Sequence, residues 1–264
     1  MKFKNNHEES LKKSVNLHEG HRTRLRNRLD KGEFAEIDDY EAMEYILTLV
    51  IKRRDTNNLA HTLINQFGSL AGVLDASENE LKTVKGVTPT VAYFLHHVPN
   101  IFRNYKLSKL KPRATISCPS DVFNYLGECV YHLPHEEFYI ICLDNASKVI
   151  SYKMIGIGGN SQVSVNFNNI VQYATKMNAA KIILLHNHPT GEKFPSVEDM
   201  ETTKRLFISF SVAGIELYDH IITDCTGDYY SFAREGLIEG FNKEYKKILG
   251  VWFWIGFVIL FESQ

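Results

Sequence analysis

Cysteine is scarce in this chain. Four occur in 264 residues, at Cys118, Cys129, Cys142 and Cys225, and no two form a C-x-x-C pair. That excludes a disulfide frame and a zinc ribbon, and the scattered thiols read as buried groups of a reducing compartment. A surplus of either charge is also missing. With 30 Lys and Arg against 31 Asp and Glu the net charge is −1, so no overall basic field steers the chain to nucleic acid. Residues 1–16 are polar and lack the apolar core of an export signal, which points to a cytoplasmic protein. The longest apolar run, Ile248 to Phe261, has fourteen residues. As a helix it spans about 21 Å, against roughly 30 Å of bilayer hydrocarbon. The rest is ordinary for a globular protein of one or two domains, at 44% apolar and 23% charged.

The chemistry concentrates between Lys181 and Asp199. Ile182-Ile183-Leu184-Leu185 reads as a buried strand. Side chains two apart on a strand share a face, so His186 and His188 can offer two imidazoles to one point at its end. Pro189 and Gly191 stop the strand, and Pro195-Ser196 opens a helix with Asp199 one turn inside. The pattern is His-x-His, ten residues, Asp. Two neutral imidazoles and a carboxylate suit zinc, and three protein ligands leave a fourth position for water. A plainer reading competes with this one. Ser196-x-x-Asp199 is also a helix capping box, and a His at a strand end can be a polar rim residue. Glu136 and Glu137 open the next candidate strand, Glu-Glu-Phe-Tyr-Ile-Ile-Cys-Leu. Neighbours on a strand face opposite ways, so only one of the two can reach the metal. Both also fit an exposed pair at a strand mouth.

His186-x-His188-Pro189 followed by Pro195-Ser196-x-x-Asp199 resembles the JAMM signature of MPN-type zinc isopeptidases. The wording His-Asn-His-Pro-Thr-Gly, then Pro-Ser-x-Glu-Asp, is similar to that of the RadC family, and the likeness runs from about Gly20 to Ile238. The resemblance implies a C-terminal MPN/JAMM domain, a cytidine-deaminase-like α/β sandwich, beside a smaller all-α N-terminal domain. It implies one zinc ion held by His186, His188 and Asp199. It puts a catalytic glutamate two residues before the strand's aromatic, which points to Glu136, and an oxyanion-donating serine at Ser196. The implied activity is metallopeptidase-type hydrolysis of a peptide or isopeptide bond in a protein or peptide substrate that the sequence does not name. The alternative is a DNA-associated, repair-related module in which the zinc is structural. One departure stands out: the RadC-like His-Pro-Arg-Glu run reads Asn166-Phe167-Asn168-Asn169 here, a charge-poor loop.

Taken in order, residues 1–19 read as a disordered polar leader. Arg22, Arg24, Arg26 and Arg28 follow at helical spacing, as a solvated charged face or a small phosphate-contacting patch. Helices are expected at Tyr40–Val50, Asn57–Phe67 (stopped by Gly68), Glu78–Val84 and Thr90–Phe102. Gly86-Val87-Thr88-Pro89 gives a helix-hairpin-helix-like turn, whose N–H groups could meet a DNA phosphate. Thr88, where a second glycine is usual, argues against close approach. The expected domains are 20–110, 111–240 and an apolar tail, 241–264. In the second domain a short helix is expected at Ser120–Leu126 with Ser120 as cap, and strands at 138–143, 149–157, 162–165, 181–185, 215–223 and 229–232. Helices are expected at 166–176 and 196–212. Asp219 and His220 read as structural polar residues near the site, or as a pair that orients a ligand imidazole. The tail is expected to dock on the protein rather than touch a membrane.

Overall fold

The computed structural model describes residues 23, 25–32, 37–52, 54–158 and 166–262, with backbone alone for 251–262. The leader, Arg22, Arg24 and the strand expected at 162–165 lie outside the described residues. The chain divides into two compact units between Tyr105 and Lys106.

The first unit is helical. It contains α1 (Asp39–Val50), α2 (Asn57–Phe67), α3 (Leu70–Asp75), α4 (Glu78–Lys82) and most of α5 (Pro89–Ser108). Its core gathers Met43, Leu47, Leu63, Val73, Leu81, Val91 and Leu95. The amphipathic spacing marked α1 and α2 correctly. Gly68 ends α2 at φ +85°, a left-handed turn that only glycine adopts freely. α3 was not expected, since six residues are too few to display a helical period. α5 runs on to Ser108, through Pro99, well past the Phe102 expected from the pattern.

The second unit is the α/β sandwich. It is built from α6 (Pro119–Tyr125), β1 (Glu137–Leu143), β2 (Val149–Ile157), α7 (Phe167–Lys176), β3 (Lys181–His188), α8 (Val197–Val212), β4 (Glu216–Asp224), β5 (Tyr229–Ser231) and α9 (Leu237–Glu262). The strands form one sheet in the order β2-β1-β3-β4-β5. β3 and β4 run parallel, and the other neighbours are antiparallel. β1 and β3 are central and almost wholly buried, which is why they read as unbroken apolar runs.

Alternation along these strands divides the core in two. Phe138, Ile140, Cys142, Ile182 and Leu184 meet Ile170, Leu206, Phe207 and Phe210 from α7 and α8. Tyr139, Ile141, Leu143, Ile183 and Leu185 meet Val122, Leu126 and Val130 on the other face. α9 begins on the first face, where Phe241 and Tyr245 pack against the Phe207 ring and Lys204 pairs with Glu244. Among the described residues no helix is long and apolar enough to cross a membrane.

Three local expectations are corrected. The cap of α6 is Cys118, not Ser120, because the Asp121 carboxylate reaches back to the Ser117 and Cys118 N–H groups at 2.7 and 3.1 Å. Asn166-Phe167-Asn168-Asn169, also described as a loop, instead opens the helix expected at 166–176: Asn166 caps α7, its side chain accepting the Asn169 N–H at 3.1 Å. Only Cys129 and Cys142 are buried thiols, while Cys118 and Cys225 are exposed; all four are free.

Candidate metal centre

The site forms where β3 runs out of the sheet. The strand extends three residues beyond its aliphatic run, so it carries both histidines itself. The parity that places Leu184 on the α8 face puts His186 and His188 there too. Their Nε2 atoms face each other at 3.0 Å. α8 begins opposite them. Its N-cap is Ser196, whose Oγ accepts the Asp199 N–H at 3.0 Å, while the Ser196 N–H donates to Asp199 Oδ2 at 2.8 Å. This box aims the Asp199 carboxylate at the strand end, with Oδ1 3.1 Å from His186 Nε2 and Oδ2 3.3 Å from His188 Nε2. One Asp199 carboxylate therefore closes the capping box and faces the imidazole pair, and the two readings of Ser196-x-x-Asp199 are geometrically compatible.

Strand pairing sorts the two glutamates. Phe138 stands opposite His186, which places Glu136 on the imidazole face and Glu137 on the other. Glu136 Oε1 lies 3.8 Å from His186 Nε2. Glu137 is buried and turned away. It accepts from the Tyr139 hydroxyl at 2.5 Å and contacts His135 Nε2 at 3.0 Å. Glu136, His186, His188 and Asp199 thus bring four donor atoms within 4.8 Å of one another.

The electrostatics suit a cation. Burial works to raise the Asp199 pKa, but the His186 and His188 imidazoles facing it outweigh that and hold the carboxyl well below its usual range. Burial likewise opposes charge on His188, yet Asp199 and the Glu192 carbonyl beside it win and push its pKa upward. Two basic nitrogens and a carboxylate drawn together here form a site that a divalent ion can occupy in place of a shared proton. The spacing agrees, since donors at bonding distance around a tetrahedral zinc stand about 3.3 Å apart.

Sequence reasoning missed Asn187 and Thr203 and placed His220 only in part. Asn187, between the imidazoles in sequence, points to the opposite face. Its Oδ1 accepts the Glu137 N–H at 2.9 Å, and its Nδ2 donates to the carbonyls of His135 at 3.0 Å and Leu133 at 3.4 Å. It thereby ties the segment carrying Glu136 to β3. His220 on β4 stands 2.8 Å from His186 Nδ1, and its other nitrogen is 2.6 Å from Thr203 Oγ1 on α8. Burial holds His220 far below an ordinary imidazole pKa, with His186 adding to the effect. Asp219 is structural. Its carboxylate accepts from the Ser231 hydroxyl at 2.6 Å and the Ala233 N–H at 2.8 Å, anchoring β5. The sequence signal available for Thr203 was its place one turn beyond Asp199 on the same helix face.

In the helical unit, Arg26 is exposed and Arg28 pairs with Glu41. Gly86 has φ +101°, and the Thr88 hydroxyl accepts the Val91 N–H at 3.3 Å. The hairpin turn therefore satisfies one of its own helix-start donors.

An α/β sandwich with a His-x-His strand end facing an aspartate at a helix start defines a JAB-type domain with a candidate metal cluster. Residues 116–237 match the family model of the RadC-like JAB domain. That span contains the whole cluster.

Proposed function

We propose that the C-terminal domain is a zinc-dependent hydrolase of the JAMM kind that cuts a peptide or isopeptide bond. The observation that carries this reading is the convergence of Glu136 with His186, His188 and Asp199 at one end of the sheet. His186 Nε2, His188 Nε2 and one Asp199 oxygen hold the ion. A bound zinc ion polarises a carbonyl and brings the pKa of water towards ~7. Glu136, farther from the imidazoles than Asp199 is, takes the attacking water's proton and returns it to the leaving nitrogen. Ser196 gives its hydroxyl hydrogen to Asp199 Oδ2 at 2.7 Å. A hydroxyl has two acceptor lone pairs besides that hydrogen. Ser196 can therefore keep capping α8 while the hydrogen turns to the oxyanion of the tetrahedral intermediate.

Metal analysis of the purified full chain, with hydrolysis assays on Glu136→Gln, His186→Ala and Asp199→Ala, tests the reading. Stoichiometric zinc is expected in the wild type and in Glu136→Gln, with turnover at least ~10²-fold lower in the latter. Peptides or proteins that stay bound to Glu136→Gln identify the substrate. Wild-type protein that takes up no zinc overturns the reading.

A further inference from the structure

We infer that His220 is a positioning residue: it accepts the Nδ1–H of His186 and so leaves the His186 Nε2 lone pair open to the cation. The inference rests on the proposed role of His186 as a ligand. It follows from counting hydrogens along a buried chain. Thr203 Oγ1 lies 2.5 Å from the backbone carbonyl of Asp199. A carbonyl has no hydrogen to give, so the single hydroxyl hydrogen of Thr203 is spent there. The second partner of Thr203 Oγ1, His220 Nδ1 at 2.6 Å, must then be the donor. A neutral imidazole carries one N–H. With that hydrogen on Nδ1, His220 Nε2 is bare and can only accept. What faces it is His186 Nδ1 at 2.8 Å, which therefore carries the hydrogen. The remaining nitrogen of His186 is the Nε2 that faces Asp199 and His188.

Reversing the chain shows what is at stake. A hydroxyl donating to His220 Nδ1 would move the His220 hydrogen to Nε2 and the His186 hydrogen to its own Nε2. The nitrogen needed for a metal would then be blocked. The Asp199 carbonyl fixes the direction, so one ligand residue sets the tautomer of another through Thr203 and His220. Thr203, His186 and His220 are at most 1% exposed, which keeps solvent from supplying another hydrogen. Phe232 stacks on the His220 ring at 4.8 Å between centroids, and Phe138 stands against it at 5.4 Å, so the ring cannot easily turn over.

Three full-length variants test this: His220→Phe, which removes the acceptor; Thr203→Val, which keeps shape but removes the hydroxyl; and His220→Gln, whose side-chain oxygen can stand in for Nε2. Zinc affinity is read by competition with a chromophoric chelator, and folding of the zinc-free proteins by urea titration. His220→Phe and Thr203→Val are expected to bind zinc ~10–100-fold more weakly, the usual effect of losing the group behind a ligand histidine. His220→Gln should recover most of that loss. Long-range 1H–15N spectra of the zinc-free wild type, with His186 identified by its absence in His186→Asn, should show its hydrogen on Nδ1. Wild-type affinity in a folded His220→Phe overturns the inference, as does a His186 hydrogen on Nε2. A wild type that binds no zinc instead defeats the hydrolase reading, while the spectra still report the direction of the chain.

Discussion

Asn187 offers the sharpest test of how the sheet positions Glu136. It is fully buried and makes three hydrogen bonds, all to the segment that leads into β1. Replacing it with Leu keeps the branching and the heavy-atom count and removes every polar atom. The carbonyls of Leu133 and His135 each retain a second lone pair, so their loss is the smaller part. The Glu137 N–H has no such reserve. It is left buried without its acceptor, and such a group costs about 1–3 kcal/mol. Adding the two donated bonds gives an expected destabilisation of about 2–4 kcal/mol. The measurement is urea unfolding of zinc-free wild type and Asn187→Leu, with the midpoint falling and the slope unchanged. Because Asn187 faces away from the imidazoles, zinc affinity should change little while turnover falls as Glu136 loses its support. A loss of stability below about 0.5 kcal/mol, within the range of an ordinary surface substitution, would refute the account.

Burial pushes the Cys142 thiol up to about 11. The folded chain therefore holds that proton when the unfolded chain has lost it, and stability falls as pH rises from about 9 towards 11. At about 1.4 kcal/mol per pH unit the loss reaches about 2–3 kcal/mol, and Cys142→Ala should flatten this alkaline limb relative to wild type. Under native conditions at pH 8 a thiol reagent should label Cys118 and Cys225 rapidly and spare Cys129 and Cys142; rapid labelling of all four would contradict the burial described. Phe210 is wholly buried beneath the sheet, so Phe210→Ala should cost about 3–5 kcal/mol in a chemical melt. A chain ending after Gly240 loses Phe241 and Tyr245 from the Phe207 ring and about 2–4 kcal/mol with them.

Much of the site was readable because its parts are short-range. The aliphatic run before His186, the two-residue spacing to His188 and the cap before α8 are each visible within a few residues. What stayed hidden depends on long-range pairing. That Glu136 rather than Glu137 turns to the imidazoles follows from Phe138 standing opposite His186, a partnership between positions 48 apart in sequence, 138 and 186. The resemblance to relatives indicated Glu136, but neither residue type nor alternation alone could choose it. His220 reaches His186 from a separate strand, and Thr203 reaches His220 from a helix. No local pattern reports such a meeting. The miscapped α6 has the opposite cause, since Ser120 has the right chemistry but Asp121 closes the cap two residues earlier, at Cys118.

Asp199 serves two masters, the first turn of α8 and the imidazole pair. Its aim is set by a motif that closes as soon as that turn coils, before the distant strand need be in place. Lengthening the arm by one methylene, as in Asp199→Glu, keeps the charge but moves both oxygens. At this position a substitution that looks mild would unseat the cap of the helix and turn the carboxylate away from the imidazoles in the same stroke.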